Sequence, residues 1–118
     1  MTKKIYHLST CDTCKRILKE LQPLDGVELQ DIKTEAITPA QLEEMKQISG
    51  SYESLFSKRA RMYKERTLGN KKLSEEDFKG LILEHYTFLK RPVILTDNQI
   101  FIGNSKNEIA AAKEALHP

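Results

Sequence analysis

The sequence has few of the features that mark membrane or secreted proteins. Tryptophan is absent and only two of the 118 residues are cysteine. No apolar run approaches the roughly 18 residues that a membrane-spanning helix needs. The N-terminal segment has too short an apolar run for a signal peptide. We therefore expect a cytoplasmic protein that does not associate with membranes.

A strong charge of one sign is also lacking. Nineteen Lys and Arg residues against 17 Asp and Glu residues leave a net charge of +2. The electrostatic field of so small a net charge is too weak to attract nucleic acid. Hydrophobic residues make up 39% of the chain, enough for one core in a protein of this length. We therefore expect a single-domain monomer over residues 1–118 that does not bind nucleic acid directly.

Apolar periodicity predicts a sheet combined with helices. An apolar run at residues 5–8 predicts a first strand, and the spacing within residues 15–21 predicts a helix. Alternation of apolar and polar residues, which Asp31 interrupts, predicts a second strand over residues 27–32 with one face buried. A strand, a helix and a strand in this order form a βαβ unit with parallel strands. Residues 92–95 and 100–103 predict a hairpin.

The middle of the chain and its C-terminal part carry signals for helix starts. Thr38 opens a helix with a capping box, a short helix is predicted over residues 52–56, and Ser74 starts another. Ser105 and Glu108 predict a second capping box at the start of the last helix. The predicted order of elements is β-α-β-α-α-α-β-β-α.

The two cysteines are the most informative residues. Cys11 and Cys14 form a Cys-x-x-Cys motif between the predicted first strand and the predicted helix. A thiol at a helix N-terminus has a lowered pKa, and the thiolate is the nucleophilic form. Cys14 lies about one turn further along the same face and can reach Cys11. The spacing therefore predicts a pair that cycles between dithiol and disulfide.

Two other roles for the pair are less well supported. The cysteines could be buried side chains without a chemical role. A structural zinc site needs four ligands, and the remaining candidates, His7, His85 and His117, do not have the usual ligand spacing. We therefore expect no metal, and we favour the redox interpretation.

Two segments together carry a family resemblance. The first is IYHLSTCDTCK at residues 5–15, and the second is LKRPVIL at residues 89–95 followed by IFIG at residues 100–103. Both resemble the arsenate reductase (ArsC)/Spx family of thioredoxin-fold proteins, and the resemblance extends over essentially the whole chain. It implies an α/β, thioredoxin-like fold, with a mixed four-stranded sheet and an inserted helical segment at about residues 38–88.

The resemblance also implies which residues form the site. Cys11 matches the family's nucleophile, and Arg91 matches an arginine that binds the oxyanion in the reductases. Pro92 matches a proline that is cis in thioredoxin-like folds. Cys14 matches a second cysteine that is a feature of Spx-type regulators, and we expect it to resolve the adduct on Cys11. The candidate substrate-binding residues are Thr10, Asp12, Thr13, Lys58, Arg59 and Pro92.

The sequence departs from the reductases at two positions. These reductases use three arginines around the oxyanion, but Ser57 aligns with the first, and no arginine lies near residues 103–105 for the third. We therefore expect weak or absent reduction of arsenate. Residues 57–72 hold seven basic side chains and one acid, which form either an anion site or a solvated surface.

Two functions follow from the resemblance. The first is a thiol–disulfide oxidoreductase that acts on a small molecule or a disulfide and binds no cofactor. Its electron donor would be glutathione or a thioredoxin or glutaredoxin system. The second is an Spx-like regulator, which senses oxidation through the same cysteines and binds RNA polymerase. Repeated turnover would distinguish the enzyme from the regulator.

Overall fold

Four strands form one mixed sheet. The computed structural model describes residues 3–117. Its strands lie in the order β2-β1-β3-β4, where the bounds are β1 Lys3–His7, β2 Val27–Asp31, β3 Val93–Leu95 and β4 Ile100–Ile102. Strand β1 is parallel to β2 and antiparallel to β3, and β3 is antiparallel to β4. The mixed four-stranded sheet expected from the sequence is confirmed, and so is the parallel pairing of the βαβ unit.

The chain divides into two compact units. The first contains the chain up to Glu35 and from Arg91 onward, and it therefore holds the whole sheet. The second unit is Ala36–Lys90. A single domain with a helical insert over about residues 38–88 stays a prediction.

Each unit has its own helices. The first unit holds helix α1 (Asp12–Glu20) and helix α5 (Lys106–Leu116). The second unit holds α2 (Pro39–Ser49), α3 (Arg61–Glu65) and α4 (Glu75–Glu84), with short 3-10 turns at Glu53–Leu55, Leu68–Asn70 and Tyr86–Phe88. The short helix predicted over residues 52–56 is thus a 3-10 turn. None of the helices in the described part of the chain is long and apolar enough to cross a membrane.

The core of the first unit joins the sheet to both of its helices. Side chains from β1, β3, β4, α1 and α5 form one buried cluster: Ile5, Ile17, Leu21, Ile94, Phe101, Ile109, Ala112 and Leu116. Apolar burial of this kind contributes about 25 cal/mol per Å² removed from water. The cluster holds α1 and α5 against the sheet, and it thereby determines where the N-terminus of α1 lies.

Strand β2 only partly buries the face that its alternation predicts, on which Val27 packs against the core of the first unit. Leu29 is 44% exposed, whereas Gln30 on the opposite face is only 2% exposed. The reason is that β2 is an edge strand, so Leu29 lacks a neighbour on one side. Gln30 pairs with buried Tyr6 in the strand register. The side-chain nitrogen of Gln30 donates to the carbonyl oxygen of Glu35 at 3.0 Å, so this buried amide has a hydrogen-bond partner.

Aromatic rings packed around Phe56 form the centre of the second unit. The Phe56 ring lies 5.4 Å from the ring of Phe88, 4.9 Å from that of Phe78 and 5.8 Å from that of Tyr63. Ser57 N–H donates to the Phe88 carbonyl at 2.7 Å, which ties two segments of this unit together. Aromatic pairs at these separations contribute beyond their buried area.

The helix starts predicted at Thr38, Ser74 and Ser105 are all confirmed. The Thr38 capping box and the start of α4 at Ser74 form as predicted. At α5 the hydroxyl of Ser105 accepts from Glu108 N–H, but the Glu108 carboxylate does not return to Ser105. It accepts instead from the N–H of Ile102 at 3.0 Å. The prediction of a second capping box is therefore wrong, because the Glu108 carboxylate accepts from a backbone N–H on β4.

The cap of α4 gives the first testable expectation. Ser74 N–H donates to the Asp77 carboxylate at 2.9 Å, and Asp77 N–H donates to the Ser74 hydroxyl at 3.3 Å. We expect Ser74→Ala to lower the free energy of unfolding by about 1 kcal/mol. Ser74→Thr keeps the hydroxyl and serves as the control. Urea denaturation followed by circular dichroism measures both, and equal stability of wild type and Ser74→Ala would contradict the cap's role.

Candidate redox site

Cys11 occupies the N-cap position of α1. Its backbone is extended, with φ −95° and ψ 116°, and its carbonyl accepts the first helical bond from Lys15 N–H at 3.0 Å. Its own N–H donates to the Leu8 carbonyl at 3.0 Å, so the turn from β1 into the helix is closed. The unpaired N–H groups of the first helical turn surround a residue at this position and favour a negative charge there. Cys11 thus lies at the helix start, as the sequence predicts.

The surroundings of Cys11 favour its thiolate. Partial burial raises the pKa of the Cys11 thiol, but hydrogen bonds from the N–H and the thiol of Cys14 and from the N–H of Thr13 lower it. The positive charge of Arg91 lowers it further. The net effect is a Cys11 pKa below the ordinary value for cysteine.

Cys14 has the opposite character. It is 1% exposed, and this burial raises the pKa of its thiol to about 11. The N–H of Leu8 and the charge of Arg91 lower the pKa, while the neighbouring Cys11 raises it by its charge and by their hydrogen bond. The raised pKa keeps the Cys14 thiol protonated at neutral pH, and its interaction with Cys11 lowers the pKa of the Cys11 thiol.

The structure brings Arg91 to the same place. Arg91 is half-buried and immediately precedes β3, and the bond between Arg91 and Pro92 is cis. The cis proline implied by the resemblance is thus present. The Pro92 carbonyl accepts from Gly103 N–H at 3.0 Å, which connects this segment to the end of β4. The charge of Arg91 acts on both thiols, so Cys11, Cys14 and Arg91 form one electrostatic group.

The other predicted site residues lie in different surroundings. Thr10 and Asp12 are exposed, and Asp12 forms an ion pair with Lys15 at 4.0 Å. Lys58 and Arg59 belong to the second unit, where both are exposed and Lys58 pairs with Glu53 at 3.0 Å. Substrate-binding roles for these residues, and for Thr13 and Pro92, stay predictions.

Asp31 is a residue that the sequence analysis did not single out. It ends β2, and its carboxylate accepts from Ser9 N–H at 3.1 Å and from Lys33 N–H at 3.2 Å. The hydroxyl of Ser9 lowers the pKa of Asp31 most; partial burial opposes this, and the N–H groups of Ser9 and Lys33 lower it further, to about 2. Ser9 precedes Cys11 by two residues, so Asp31 anchors the cysteine loop. Ser9 and Asp31 are far apart in sequence, and only the pairing of β1 with β2 brings them together.

Both cysteines are free thiols in this structure. The disulfide that the motif predicts is therefore not formed here. Among residues 3–117, no group of three or more His, Cys, Asp or Glu side chains is placed to hold a metal ion. The described site brings together two thiols and one guanidinium.

Comparison with known proteins identifies the family. The sequence pattern of the ArsC family matches residues 6–112, so the chain belongs to this family. Global transcriptional regulator Spx 2 from Bacillus cereus is 27% identical over 110 residues, which cover 89% of this chain and 82% of that protein.

Solved structures show the same fold. An ArsC family related protein from Bacteroides fragilis superposes with a TM-score of 0.79 at 22% identity, over 95% of this chain and 98% of that one. An arsenate reductase from Vibrio cholerae superposes with a TM-score of 0.77 at 19% identity, over 98% of each chain. Together with the family match, these neighbours confirm the expected thioredoxin-like fold.

The difference between the two thiols can be measured directly. We expect iodoacetamide to alkylate Cys11 at a lower pH than Cys14, because only the thiolate reacts. Arg91→Gln should raise the pH at which Cys11 becomes reactive, whereas Lys19→Gln, which changes an exposed cation at the end of α1, should not. Peptide mapping by mass spectrometry over a pH series measures both sites. Preferential labelling of Cys14 near neutral pH would overturn the assignment.

The anchor at Asp31 predicts a specific pH dependence of stability. Its folded-state pKa of about 2 lies below the ordinary value of 3.8. Ionised Asp31 therefore stabilises the fold above that ordinary value, and the contribution is lost as the pH falls from 3.8 toward about 2. We expect Asp31→Asn to destabilise the protein at neutral pH, with a difference from wild type that shrinks across this acidic range. Urea denaturation at several pH values measures it, and a difference that is constant with pH would contradict the expectation.

Proposed function

From membership of the ArsC family and the two unequal thiols, we propose that the protein is a thiol–disulfide oxidoreductase. Cys11 is the nucleophile and Cys14 is the resolving cysteine. The observation that carries the proposal is the placement of two cysteines at the start of α1, one partly exposed and one buried, with the Cys11 pKa lowered and the Cys14 pKa raised to about 11 under the influence of Arg91. A reducing compartment such as the cytoplasm would keep both thiols free between turnovers.

The first step forms a mixed disulfide. The Cys11 thiolate attacks one sulfur of a substrate disulfide, the substrate S–S bond breaks, and the second substrate sulfur leaves as a thiolate that takes up a proton. The lowered pKa of Cys11 increases the fraction of its thiol that is present as the attacking thiolate at a given pH. Arg91 would orient an anionic group on the substrate.

The second step uses the coupling between the cysteines. In the free protein, the Cys11 charge and its hydrogen bond to Cys14 help to raise the pKa of Cys14. Once Cys11 is bonded to the substrate, that charge is gone, so Cys14 loses its proton more readily. The Cys14 thiolate then attacks the Cys11 sulfur, and the remaining substrate half leaves as a thiolate. Two electrons have passed to the substrate, and a Cys11–Cys14 disulfide remains. Glutathione or a thioredoxin or glutaredoxin system returns the two electrons.

Arsenate is a poor match for this site. A doubly charged oxyanion needs several charged donors, and Arg91 can supply one bidentate contact. The positions that align with the other two arginines hold Ser57 and the segment at residues 103–105. Each lost charged hydrogen bond costs about 1.5–3 kcal/mol, so the two together would lower efficiency by roughly a hundredfold to ten-thousandfold.

A second candidate function is redox-sensitive regulation. It is favoured by the 27% identity to Global transcriptional regulator Spx 2, which covers most of both chains. In this case the Cys11–Cys14 disulfide would change a binding surface, and the partner would be RNA polymerase. A regulator needs one oxidation event and a stable complex, whereas an oxidoreductase needs repeated cycles.

Steady-state turnover distinguishes these functions. Wild type, Cys11→Ser and Cys14→Ser are assayed with glutathione or thioredoxin as donor, against a panel of disulfides and against arsenate. We expect many turnovers of a disulfide by wild type, none by Cys11→Ser, and a trapped mixed disulfide in Cys14→Ser, which intact-mass spectrometry detects. Activity on arsenate should be weak or absent. A kcat/KM for arsenate in the range of an evolved enzyme would show that the missing arginines do not matter.

The regulatory alternative has its own signature in the same assay. It predicts that oxidised wild type gains a Cys11–Cys14 disulfide, with the loss of two hydrogens, but shows no multiple turnover on any disulfide. Binding of reduced and oxidised protein to RNA polymerase, followed by gel filtration, then tests the partner. Turnover without a stable complex would exclude the regulator.

A further inference from the structure

A groove separates the two helices that pack on the sheet of the first unit. It lies between α1 and α5, with a volume of about 570 Å³. Ile17 from α1 and Ile109 from α5 form part of its lining, and both belong to the buried core. The groove therefore has an apolar floor formed by rigidly packed side chains, and its volume is in the range of ligand sites.

The rim of the groove is positively charged. Arg16 on α1 and Lys106 and Lys113 on α5 line it, and all three are exposed. Glu20 is the single acid among the lining residues. Within residues 3–117, none of the three cations forms an ion pair, although Lys4, Lys15, Lys58, Arg61 and Arg66 all do elsewhere. Unpaired like charges around one concave surface attract an anionic ligand.

One end of the groove adjoins the redox centre. Thr13 lines the groove, and its N–H is one of the donors that lower the pKa of Cys11. Thr13 and Cys11 are both in the first turn of α1 or directly before it. A ligand seated along the groove would therefore reach the helical turn that carries the nucleophile.

The spacing of the cations determines the size of the ligand. Lys106 and Lys113 are seven positions apart on α5, which corresponds to about 10 Å along a helix axis. Two anionic groups that contact Lys106 and Lys113 at the same time must be separated by a similar distance. An extended peptide spans this distance with about three residues. A single carboxylate or oxyanion is too small to contact both. An acidic segment with an interleaved apolar side chain matches both the rim and the floor.

We propose that the groove between α1 and α5 binds an acidic, extended segment of a protein partner and presents that partner's disulfide to Cys11. The redox part of this inference rests on the proposed oxidoreductase function. The binding part does not, because it depends on the charges and shape of the groove alone. The two parts can therefore be tested separately.

Binding is tested without chemistry. The double variant Cys11→Ser/Cys14→Ser is titrated with a fluorescein-labelled peptide in which Glu alternates with Leu, and with a matched peptide in which Gln replaces every Glu. We expect the acidic peptide to bind on the order of tenfold more tightly and the difference to shrink as salt is added. Fluorescence anisotropy measures both affinities.

Charge reversal locates the binding surface. Lys106→Glu and Lys113→Glu, each in the double-serine background, should remove most of the preference for the acidic peptide. Lys33→Glu changes an exposed cation of the same unit outside the groove, and it should keep more of the preference than either groove variant. Circular dichroism establishes that each variant is folded. Equal binding of the two peptides, or a preference that survives both groove variants, would overturn the proposal.

Kinetics connect the groove to the cysteines. Each peptide is extended by a cystine, and the rate of its reduction by wild type and by Lys113→Glu is measured with glutathione as the electron donor, relative to the rate without protein. We expect wild type to favour the acidic substrate about tenfold, through a lower KM, and Lys113→Glu to lose this preference. Groove-dependent binding without any reduction would support the docking site and overturn the oxidoreductase function. Reduction with no charge preference would support that function and overturn the groove.

Discussion

Parallel pairing between β1 and β2 determines the position of the cysteine loop. The strands are in register from Lys3 opposite Val27 to His7 opposite Asp31, and Ile32 N–H continues the ladder to the His7 carbonyl at 2.9 Å. This pairing places the Asp31 carboxylate against Ser9 N–H. The segment from Leu8 to Cys11 is thus held at both ends, by the sheet and by the first turn of α1. Because Leu8 N–H also acts on the Cys14 thiol, the same segment contacts both cysteines.

The two cysteines show how position can give identical side chains different chemistry. Both belong to one motif at the start of α1. Cys11 precedes the helix and faces the donors of its first turn, whereas Cys14 faces the protein interior and is almost completely buried. Helical N–H groups stabilise a thiolate, and burial penalises it. A four-residue motif therefore contains one thiol whose pKa is lowered and one whose pKa is raised to about 11.

The cations of the first unit act over different distances. Arg91 is half-buried and shifts the pKa of both thiols, since a charge in partly dehydrated surroundings is weakly screened. Arg16, Lys106 and Lys113 are exposed, so salt screens them over about 8–10 Å. Arg91 therefore suits the control of reactivity, and the exposed cations suit the attraction and orientation of a charged partner.

Local signals in the sequence determined much of the fold. The apolar runs predicted the strands, Thr38 and Ser74 predicted two helix starts, and the motif around Cys11 and Cys14 predicted a thiol pair at the start of a helix. These features depend on neighbours within about four residues, because caps and turns are satisfied locally. The family resemblance added the mixed sheet and the pairing of the cysteines with Arg91.

Only the tertiary structure decided the contacts between distant segments. Leu29 is exposed and Gln30 buried because β2 is an edge strand and Gln30 bonds to Glu35. The Glu108 carboxylate accepts a hydrogen bond from the N–H of Ile102 and not from that of Ser105. The hydrogen bond from Ser9 N–H to the Asp31 carboxylate likewise needs the pairing of distant strands. The difference between the pKa values of the two thiols needs burial and groups from distant segments. A sequence pattern records which donors and acceptors exist, but burial and strand pairing determine which of them meet.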